Sequence, residues 1–429
     1  MNPHQQLQRR LGVFDATSIG LGSMLGAGVF VVFAPAAGLA GNFLVLAVLL
    51  AGAVAYCNAV ASAELAARYP ASGGTYVYGR KQLGEWPGFI AGWGFVSGKT
   101  ASCAAMALTF GHYAAPDFAL PVAVAAVVAL TVVNLFGITR TALLTRVLLC
   151  LVLATLVFVA VAAVVGPHPN GAAPGAGGPA AGSFSAVGFS AGGLGGVLPA
   201  AGLMFFAFAG YARIATLGEE VKDPARTIPR AILAALGAAF VIYLGLALLL
   251  QGHLGDQLAA STAPLLDAVT HSRLAAGAPL LQAGAAAACL GALLALITGV
   301  GRTTLAMARE RDLPAPLARV GGRHTVPVTA ELTVAAVVIL LLLTTDVMTV
   351  VGFSSFGVLI YYAVTNAAAF TLEVHSPHAP KWLNVAGFGG CLLLAFTLPP
   401  SSVLGMAAVL AAGAAGRFLV VRRRRRRAL

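Results

Sequence analysis

The sequence predicts an all-α integral membrane protein with about twelve transmembrane helices. Hydrophobic residues make up 59% of its 429 positions, charged residues make up 9%, and the mean hydropathy is +0.90. A soluble domain carries about a quarter charged residues, so this chain cannot cover itself with a water-exposed surface. Its composition therefore excludes a soluble enzyme and a disordered chain. A main role in binding nucleic acid is also excluded, despite the net charge of +12.

Twelve apolar stretches along the chain are candidates for membrane helices, each of which needs about 20 mostly apolar residues. Pro399 and Pro400 separate the last two stretches, which we therefore expect to form a hairpin. The predicted spans are 14–38, 41–66, 86–114, 120–137, 143–165, 194–216, 230–251, 279–306, 327–345, 348–372, 383–398 and 401–420.

The distribution of lysine and arginine predicts how these spans are oriented. Cytoplasmic loops of membrane proteins carry an excess of both residues. With the N-terminus in the cytoplasm, 24 of the 26 basic residues fall on the inner side; Arg273 falls outside and Lys99 lies within a span. A miscounted helix would scatter these residues over both faces. We therefore expect twelve spans, both termini in the cytoplasm, placement in the plasma membrane and no cleaved signal peptide.

The spans are predicted to form one polytopic domain. Helices 1–5 occupy residues 1–165, an outer loop occupies 166–193, helices 6–10 occupy 194–372, and helices 11 and 12 occupy 383–420. The polybasic cytoplasmic tail, 421–429, contains the run Arg422–Arg427. Near an anionic leaflet, each such residue contributes roughly 1 kcal/mol of attraction. Anionic membrane lipid is therefore an expected partner of the tail, and nucleic acid is not.

Glycines interrupt the first helix of each predicted half. The first helix contains GLGSMLGAGVF, and the sixth opens with GGLGGVLPAAG and continues with FFAFAGYARIATLGEE. Paired interruptions at corresponding positions indicate a transporter binding site. Bare peptide groups cannot face lipid, but exposed amides suit a carboxylate and exposed carbonyls suit an ammonium. An α-amino acid carries both groups. The alternative is that the glycines, such as Gly22 and Gly26, only allow close helix packing.

Several blocks resemble one family of permeases. Gly22–Phe30 resembles the first-helix signature of the amino acid–polyamine–organocation permeases, and Pro70–Tyr76 resembles the loop after their second helix. Phe206–Tyr211, continued by EEVKDP and IPR, resembles helix 6 and its exit loop. Arg302–Pro314 resembles the end of helix 8. The resemblance extends over residues from about 12 to 330.

The resemblance implies a leucine-transporter-type fold, with an inverted repeat of five helices, two additional C-terminal helices, and helices 1 and 6 unwound at the membrane middle. The substrate would lie between helices 1, 3, 6, 8 and 10. By position, amides near Ala27 and Gly28 would hold the α-carboxylate, and Phe206 would be the aromatic gate. Family members often have serine where Ala27 stands, so one carboxylate contact is missing here. Carbonyls near Met24, Phe206 and Ala209 would hold the α-amine. The complete predicted substrate site is Ser23, Met24, Gly26, Ala27, Gly28, Phe206, Phe208, Ala209 and Gly210.

The positions of the acidic residues narrow the expected substrate to a neutral L-amino acid. All 14 of them fall in loops or near helix ends, whereas a cationic substrate needs an acidic partner in its pocket. Pocket walls are expected from Phe206, Phe208, Ser97 and Ser354. A cationic amino acid or polyamine antiporter, a channel and a non-transporting amino acid sensor remain alternatives. No enzymatic activity, metal or cofactor is expected.

Lys99 is the candidate for coupling transport to protons. It lies about 13 residues into the third helix, and ionisable residues inside membranes are functional by default. Many relatives carry such a lysine in helix 5, near the position that Val152 occupies in this sequence. The usual proton site of the family therefore lacks its lysine here. Helix 8 also lacks, near Leu293, the Ser/Thr pair that sodium-coupled relatives carry, so we do not expect coupling to sodium. Lys99 could instead balance the charge of an acidic substrate, or be a structural lysine that snorkels or pairs with a carbonyl.

Two charged residues at the inner helix ends are predicted to latch an inner gate. Asp15 lies at the inner end of the first helix, and Arg213 lies at the inner end of the sixth. Breaking an ion pair between them would free both helices to tilt. The alternative is that each charge is solvated near the lipid headgroups.

Overall fold

The computed structural model of the protein describes residues 11–69, 73–135, 142–165, 194–215, 221–321, 326–373 and 379–428. The predicted outer loop, 166–193, lies outside this part of the chain. Across the described ranges the regular elements are helical, apart from isolated β-bridges that join Leu11 to Val221 and Gly321 to Val326.

Seventeen α-helices, α1 to α17 in chain order, make up the described part. The helices are α1 Val13–Met24, α2 Ala27–Val31, α3 Phe33–Ala40, α4 Leu44–Arg68, α5 Thr75–Leu83, α6 Glu85–Ala114, α7 Ala119–Leu135, α8 Ala142–Val165, α9 Val197–Phe208, α10 Ala212–Ala215, α11 Pro224–Leu254, α12 Pro264–Thr270, α13 Ala278–Arg309, α14 Val328–Thr344, α15 Val347–Phe370, α16 Lys381–Thr397 and α17 Pro400–Ala428.

The described helices are those of a multi-pass membrane protein. Nine helical stretches in the described ranges are long and apolar enough to cross a bilayer, and α14 and α16 are shorter apolar helices. The predicted third span falls on α6, which is long but carries many Gly, Ser and Thr residues. Most of α6 is buried against α13 and α15. A helix enclosed by protein need not be apolar toward lipid, which is why its composition is less hydrophobic. Twelve spans remain a prediction.

The helices around the interior of the protein pack in two groups. In one group α11 packs against α4 and α1, and α4 packs against α9. In the other group α6 packs against α13 and α15. The first span therefore contacts the seventh, and the sixth span contacts the second, which is the pattern that two equivalent halves would produce. The inverted repeat itself remains a prediction.

The C-terminal basic run continues a membrane helix. The sequence predicted a separate polybasic tail after residue 420, but α17 is helical from Pro400 to Ala428. The helix passes through Arg422–Arg427 without a break, because arginine is a good helix former.

A buried ion network ties α17 to the interior helices. Arg417 approaches Asp312 through Nε at 3.0 Å and Glu85 through Nη2 at 3.0 Å, and the side chains of Arg417 and Asp312 are each 4% exposed. The second oxygen of Asp312 accepts hydrogen bonds from Arg80 Nη1 and Tyr76 Oη, both at 2.8 Å. Burial, followed by this hydrogen bond, raises the pKa of Tyr76, so the phenol keeps its proton and donates. The network joins helices that are distant in sequence.

Replacing Arg417 with methionine should destabilise the protein strongly. Removing one partner of a buried ion pair costs about 3–5 kcal/mol. Because Arg80 still pairs with Asp312 at 2.8 Å, we expect a loss near the lower end of this range, about 3 kcal/mol. Chemical unfolding of the purified protein in detergent measures this change. The control is Arg226→Met: Arg226 lies 3.9 Å from Asp223 in an exposed pair, which is worth about 1 kcal/mol or less. Equal losses in both variants would contradict the structural role of Arg417.

Candidate functional site

The first predicted span is interrupted near its middle. Helix α1 ends at Met24 and α2 begins at Ala27. The N–H of Leu25 still bonds to the carbonyl of Leu21 at 2.8 Å, but Gly26 leaves the helical region with φ −78° and ψ −145°. Peptide groups at the end of α1 and the start of α2 therefore lack helical partners. The interruption predicted from the glycine pattern is present.

The sixth span differs from its prediction. Its Gly- and Pro-rich start does not interrupt α9, which runs from Val197 to Phe208. Pro199 lies in the first turn of α9, where the missing N–H has no helical acceptor in any case. The distortion comes later, where Ala209–Tyr211 form a 3₁₀ turn before α10. The sixth helix is therefore tightened at Gly210 rather than unwound.

The two distorted segments lie in direct backbone contact. A Cβ atom added at Gly28 would lie 2.8 Å from the Cα of Ala207. One added at Gly210 would lie 2.6 Å from the backbone nitrogen of Met24. Carbon atoms of real side chains do not approach so closely, so both positions require glycine. Gly28 and Gly210 therefore allow close packing of the two spans, which is one of the two interpretations of the glycines. The binding site, which is the other, remains a prediction.

A cavity of about 150 Å³ lies beside this contact. Helix α13 supplies one wall through Ala292, Ala295, Leu296 and Gly299, which the sequence analysis did not single out because small apolar residues carry no chemical signal. The predicted residues that line the cavity are Ser23, Met24, Gly28, Lys99, Phe206, Ala209, Gly210 and Arg213.

Four predicted residues do not line the cavity. The ring of Phe208 packs edge-on against Tyr243, with centroids 4.9 Å apart, rather than among the lining residues. Ser97 donates a hydrogen bond to the carbonyl of Trp93 at 2.6 Å, within its own helix. Gly26 and Ser354 are also absent from the lining.

Gly26 and Ser354 lie behind the lining rather than in it. A Cβ at Gly26 would approach the Cβ of Ala292 to 2.6 Å, so Gly26 allows α13 to pack against the interruption. Ser354 shares a 2.6 Å hydrogen bond with Ser102, and Ser102 lines the cavity. Ala27 begins α2, but its side chain lies outside what the structure describes.

Tyr243 of α11 bridges the two distorted segments. Its hydroxyl lies 2.7 Å from the carbonyl oxygen of Met24 and 3.1 Å from that of Ala207. A phenol has a single proton, so it donates to one of these carbonyls at a time. Tyr243 is not among the residues predicted from the sequence. The available signal was a tyrosine within an apolar span, since a buried hydroxyl requires a partner.

Lys99 lies in the middle of α6 and points at the sixth span. It is 6% exposed, and its Nζ donates to the carbonyl oxygen of Ala209 at 3.2 Å. Ala209 caps the C-terminal end of α9, where the helix dipole favours a cation. The lysine therefore does not snorkel toward the membrane surface, and its contact is with a carbonyl.

The charged side chains in the described lining of the cavity are all basic. Lys99, Arg213 and Arg302 line it, and none of the described lining residues is acidic. Such a lining attracts anionic groups and disfavours additional positive charge. Asp15, the predicted partner of Arg213, accepts a hydrogen bond from the N–H of Gly12 at 3.2 Å and so caps α1. The ion pair between Asp15 and Arg213 remains a prediction.

The chain is similar to known proteins over nearly its whole length. The profile of a protein family described as "Amino acid permease" matches residues 11–415. An "Uncharacterized transporter" of Mycobacterium tuberculosis is 54% identical, over 96% of this chain and 91% of its own length.

Two more distant relatives carry more specific names. "Cationic amino acid transporter 7, chloroplastic" of Arabidopsis thaliana is 29% identical, over 88% of this chain and 68% of its own. The "Branched-chain amino acid permease BcaP" of Bacillus subtilis is 25% identical, over 89% and 85%. The names of these two relatives refer to different classes of amino acid.

Replacing Gly210 with alanine should separate the two distorted segments. The added methyl group would collide with the backbone at Met24, so we expect a loss of about 1–3 kcal/mol in the free energy of unfolding. Chemical unfolding in detergent is the measurement. Gly237→Ala in α11 is the matched control, because its Cβ would meet nothing within 4 Å and should stabilise the helix by roughly 0.5–1 kcal/mol. A neutral Gly210→Ala would show that the segments do not need this contact.

Proposed function

The chain belongs to the amino acid permease family, and we propose that it is a secondary active transporter that carries neutral L-amino acids across the membrane by alternating access. The proposal is carried by one observation. The cavity lies where an interrupted first span meets a tightened turn of the sixth. Peptide groups in a membrane interior need partners, and a zwitterion supplies both kinds.

In the proposed binding mode, the substrate carboxylate faces the amides at the start of α2, near Ala27 and Gly28. The α-ammonium faces carbonyls at the end of α1 and in the turn that follows α9, including that of Ala209. Phe206 lines the cavity and would close over the ligand as the aromatic gate. Helix ends that point at a ligand from opposite directions offer complementary partial charges.

The charge of the lining supports a neutral side chain on the substrate. A cationic side chain would share the cavity with Lys99, Arg213 and Arg302, and no acidic residue in the described lining would balance it. Unpaired charges are costly in such surroundings. A cationic amino acid or polyamine antiporter is the second candidate, because one relative is named a cationic amino acid transporter. A non-transporting sensor would use the same cavity without carrying its ligand across.

Lys99 is our candidate for coupling transport to protons, either as symport or as exchange. Its burial and its contact with the turn after α9 support this role. The pair of Asp15 and Arg213 is proposed to latch the inner side. We further propose placement in the plasma membrane with both termini in the cytoplasm. The basic run at the end of α17 would then meet anionic lipid.

Counterflow in liposomes tests the proposed function. Reconstituted protein, loaded with unlabelled amino acid and presented with the labelled form, should exchange neutral L-amino acids but not lysine or arginine, at both pH 5.5 and pH 7.5, because the lining repels added positive charge. Liposomes without protein are the control. A sensor would bind without counterflow, and a channel would conduct without saturation. Exchange of cationic amino acids alone would favour the antiporter.

Replacing Phe206 with alanine should weaken apparent substrate affinity. Removing the aromatic ring from the cavity should raise KM about tenfold, which corresponds to about 1.4 kcal/mol of lost contact. Initial rates of exchange measure the effect. Phe396→Ala is the control, because Phe396 lies on α16 with 63% of its surface exposed and far from the lining residues in the sequence. An unchanged KM in Phe206→Ala would remove Phe206 from the substrate site.

A further inference from the structure

A lysine of the protein already holds the carbonyl to which the substrate ammonium is assigned. The Nζ atom of Lys99 lies 3.2 Å from the carbonyl oxygen of Ala209. Both residues line the cavity. The contact connects α6 to the turn that follows α9, so it crosses between the two helix groups that enclose the site.

The carbonyl of Ala209 is suited to an ammonium for a local reason. Ala209 is the C-terminal cap of the 12-residue helix α9, and its own N–H bonds back to Phe205. The chain then tightens into a 3₁₀ turn. Carbonyls at a helix C-terminus carry partial negative charge and attract cations. The structure thus contains a cation site beside the cavity, and the cation that fills it is tethered to α6.

We propose that the ammonium of Lys99 is a tethered competitor of the substrate's α-ammonium. In the empty site it binds the carbonyl of Ala209, and an amino acid binds only when Lys99 withdraws. This inference rests on the proposed function, because it assigns a mechanism of specificity to the same cavity. It also gives Lys99 a defined role: ligand occupancy and lysine charge exclude each other.

The surroundings determine what happens to the displaced charge. The titratable side chain whose charge acts on Lys99 is that of Cys103, one turn along α6, and Arg213 and Arg302 line the same cavity from α10 and α13. Arg302 in turn acts on the buried Glu331 of α14. No residue of α15 lines the cavity, and no acid does so within the described ranges. A displaced ammonium would therefore stand unpaired in a buried cavity, which is costly.

The lysine resolves this conflict by releasing its proton. One N–H bond of the ammonium breaks, the neutral amine keeps the electron pair, and the proton passes to water. The substrate ammonium takes over the carbonyl of Ala209. The number of positive charges at this carbonyl is the same before and after binding. Each bound amino acid therefore releases one proton, and binding tightens as the pH rises, by at most tenfold per pH unit.

Isothermal titration calorimetry of the full chain in detergent tests the inference. L-Leucine and L-alanine serve as large and small neutral probes, each titrated in phosphate and in Tris, whose different heats of ionisation reveal released protons. We expect wild type to release close to one proton per bound amino acid. The carboxylate 4-methylpentanoate lacks the ammonium of leucine, so its binding should release none.

Two substitutions at Lys99 should have opposite effects on affinity. Lys99→Met removes the competitor, so leucine should bind about tenfold more tightly near neutral pH, without proton release or pH dependence. Lys99→Arg keeps a permanent cation, so leucine should bind at least about tenfold more weakly, also without proton release. Lys222→Met is the control, because Lys222 is exposed and should leave affinity and proton release unchanged.

The outcomes separate this inference from its alternatives. A lysine that only supports the fold predicts weaker leucine binding in Lys99→Met, and one that attracts an acidic substrate predicts no tightening of leucine binding. In the structural case the melting temperature would fall as well. Leucine binding that is unchanged or weaker in Lys99→Met, or proton release that persists in it, overturns the inference while leaving the transporter proposal intact. If wild type neither binds nor exchanges any of the twenty amino acids, both proposals fall.

Discussion

The site depends on the contact between two peptide backbones that ordinary side chains would hold apart. Gly28 lies against Ala207, and Gly210 lies against Ser23 and Met24. At these points the first and sixth spans approach more closely than helices with larger residues can. The approach places the end of α1, the start of α2 and the turn after α9 around one cavity. Without it, the interrupted backbone would be separated from the groups that satisfy it.

Interrupting a helix inside a membrane leaves polar groups that need partners, and here other helices supply several of them. Tyr243 reaches the carbonyls of Met24 and Ala207 from α11, and Lys99 reaches that of Ala209 from α6. Carbonyls that could hold an ammonium are therefore hydrogen-bonded to side chains of the protein itself. A ligand must exchange with these partners, so its net affinity is the difference between two sets of hydrogen bonds.

The sequence was sufficient for features that follow from local composition. Hydropathy predicted the nine described stretches that are helical and apolar enough to cross a membrane. The run from Gly22 to Gly28 predicted the interruption of the first span. It was insufficient where packing decides. Pro199 suggested an interruption, but a proline in the first turn of a helix removes no hydrogen bond. Phe208 differs from Phe206 by half a turn or more, and that difference directs it toward Tyr243 rather than the cavity. Tyr243 itself becomes meaningful only once α11 is placed beside both distorted segments.

Lys99 and Tyr243 reach neighbouring carbonyls of the sixth span from two different helices. In α8, which corresponds to the fifth span, Val152 is buried and apolar. The side chain at this position therefore supplies no charge to act on α1. Lys99 acts instead on the turn that follows α9. Two residues earlier in the same segment, the carbonyl of Ala207 lies within reach of the hydroxyl that also binds Met24. Lys99 and Tyr243 therefore hold carbonyls two residues apart in the sixth span, and Tyr243 also reaches the end of α1. Because the single proton of Tyr243 serves one carbonyl at a time, the end of α1 and the end of α9 share one donor from α11.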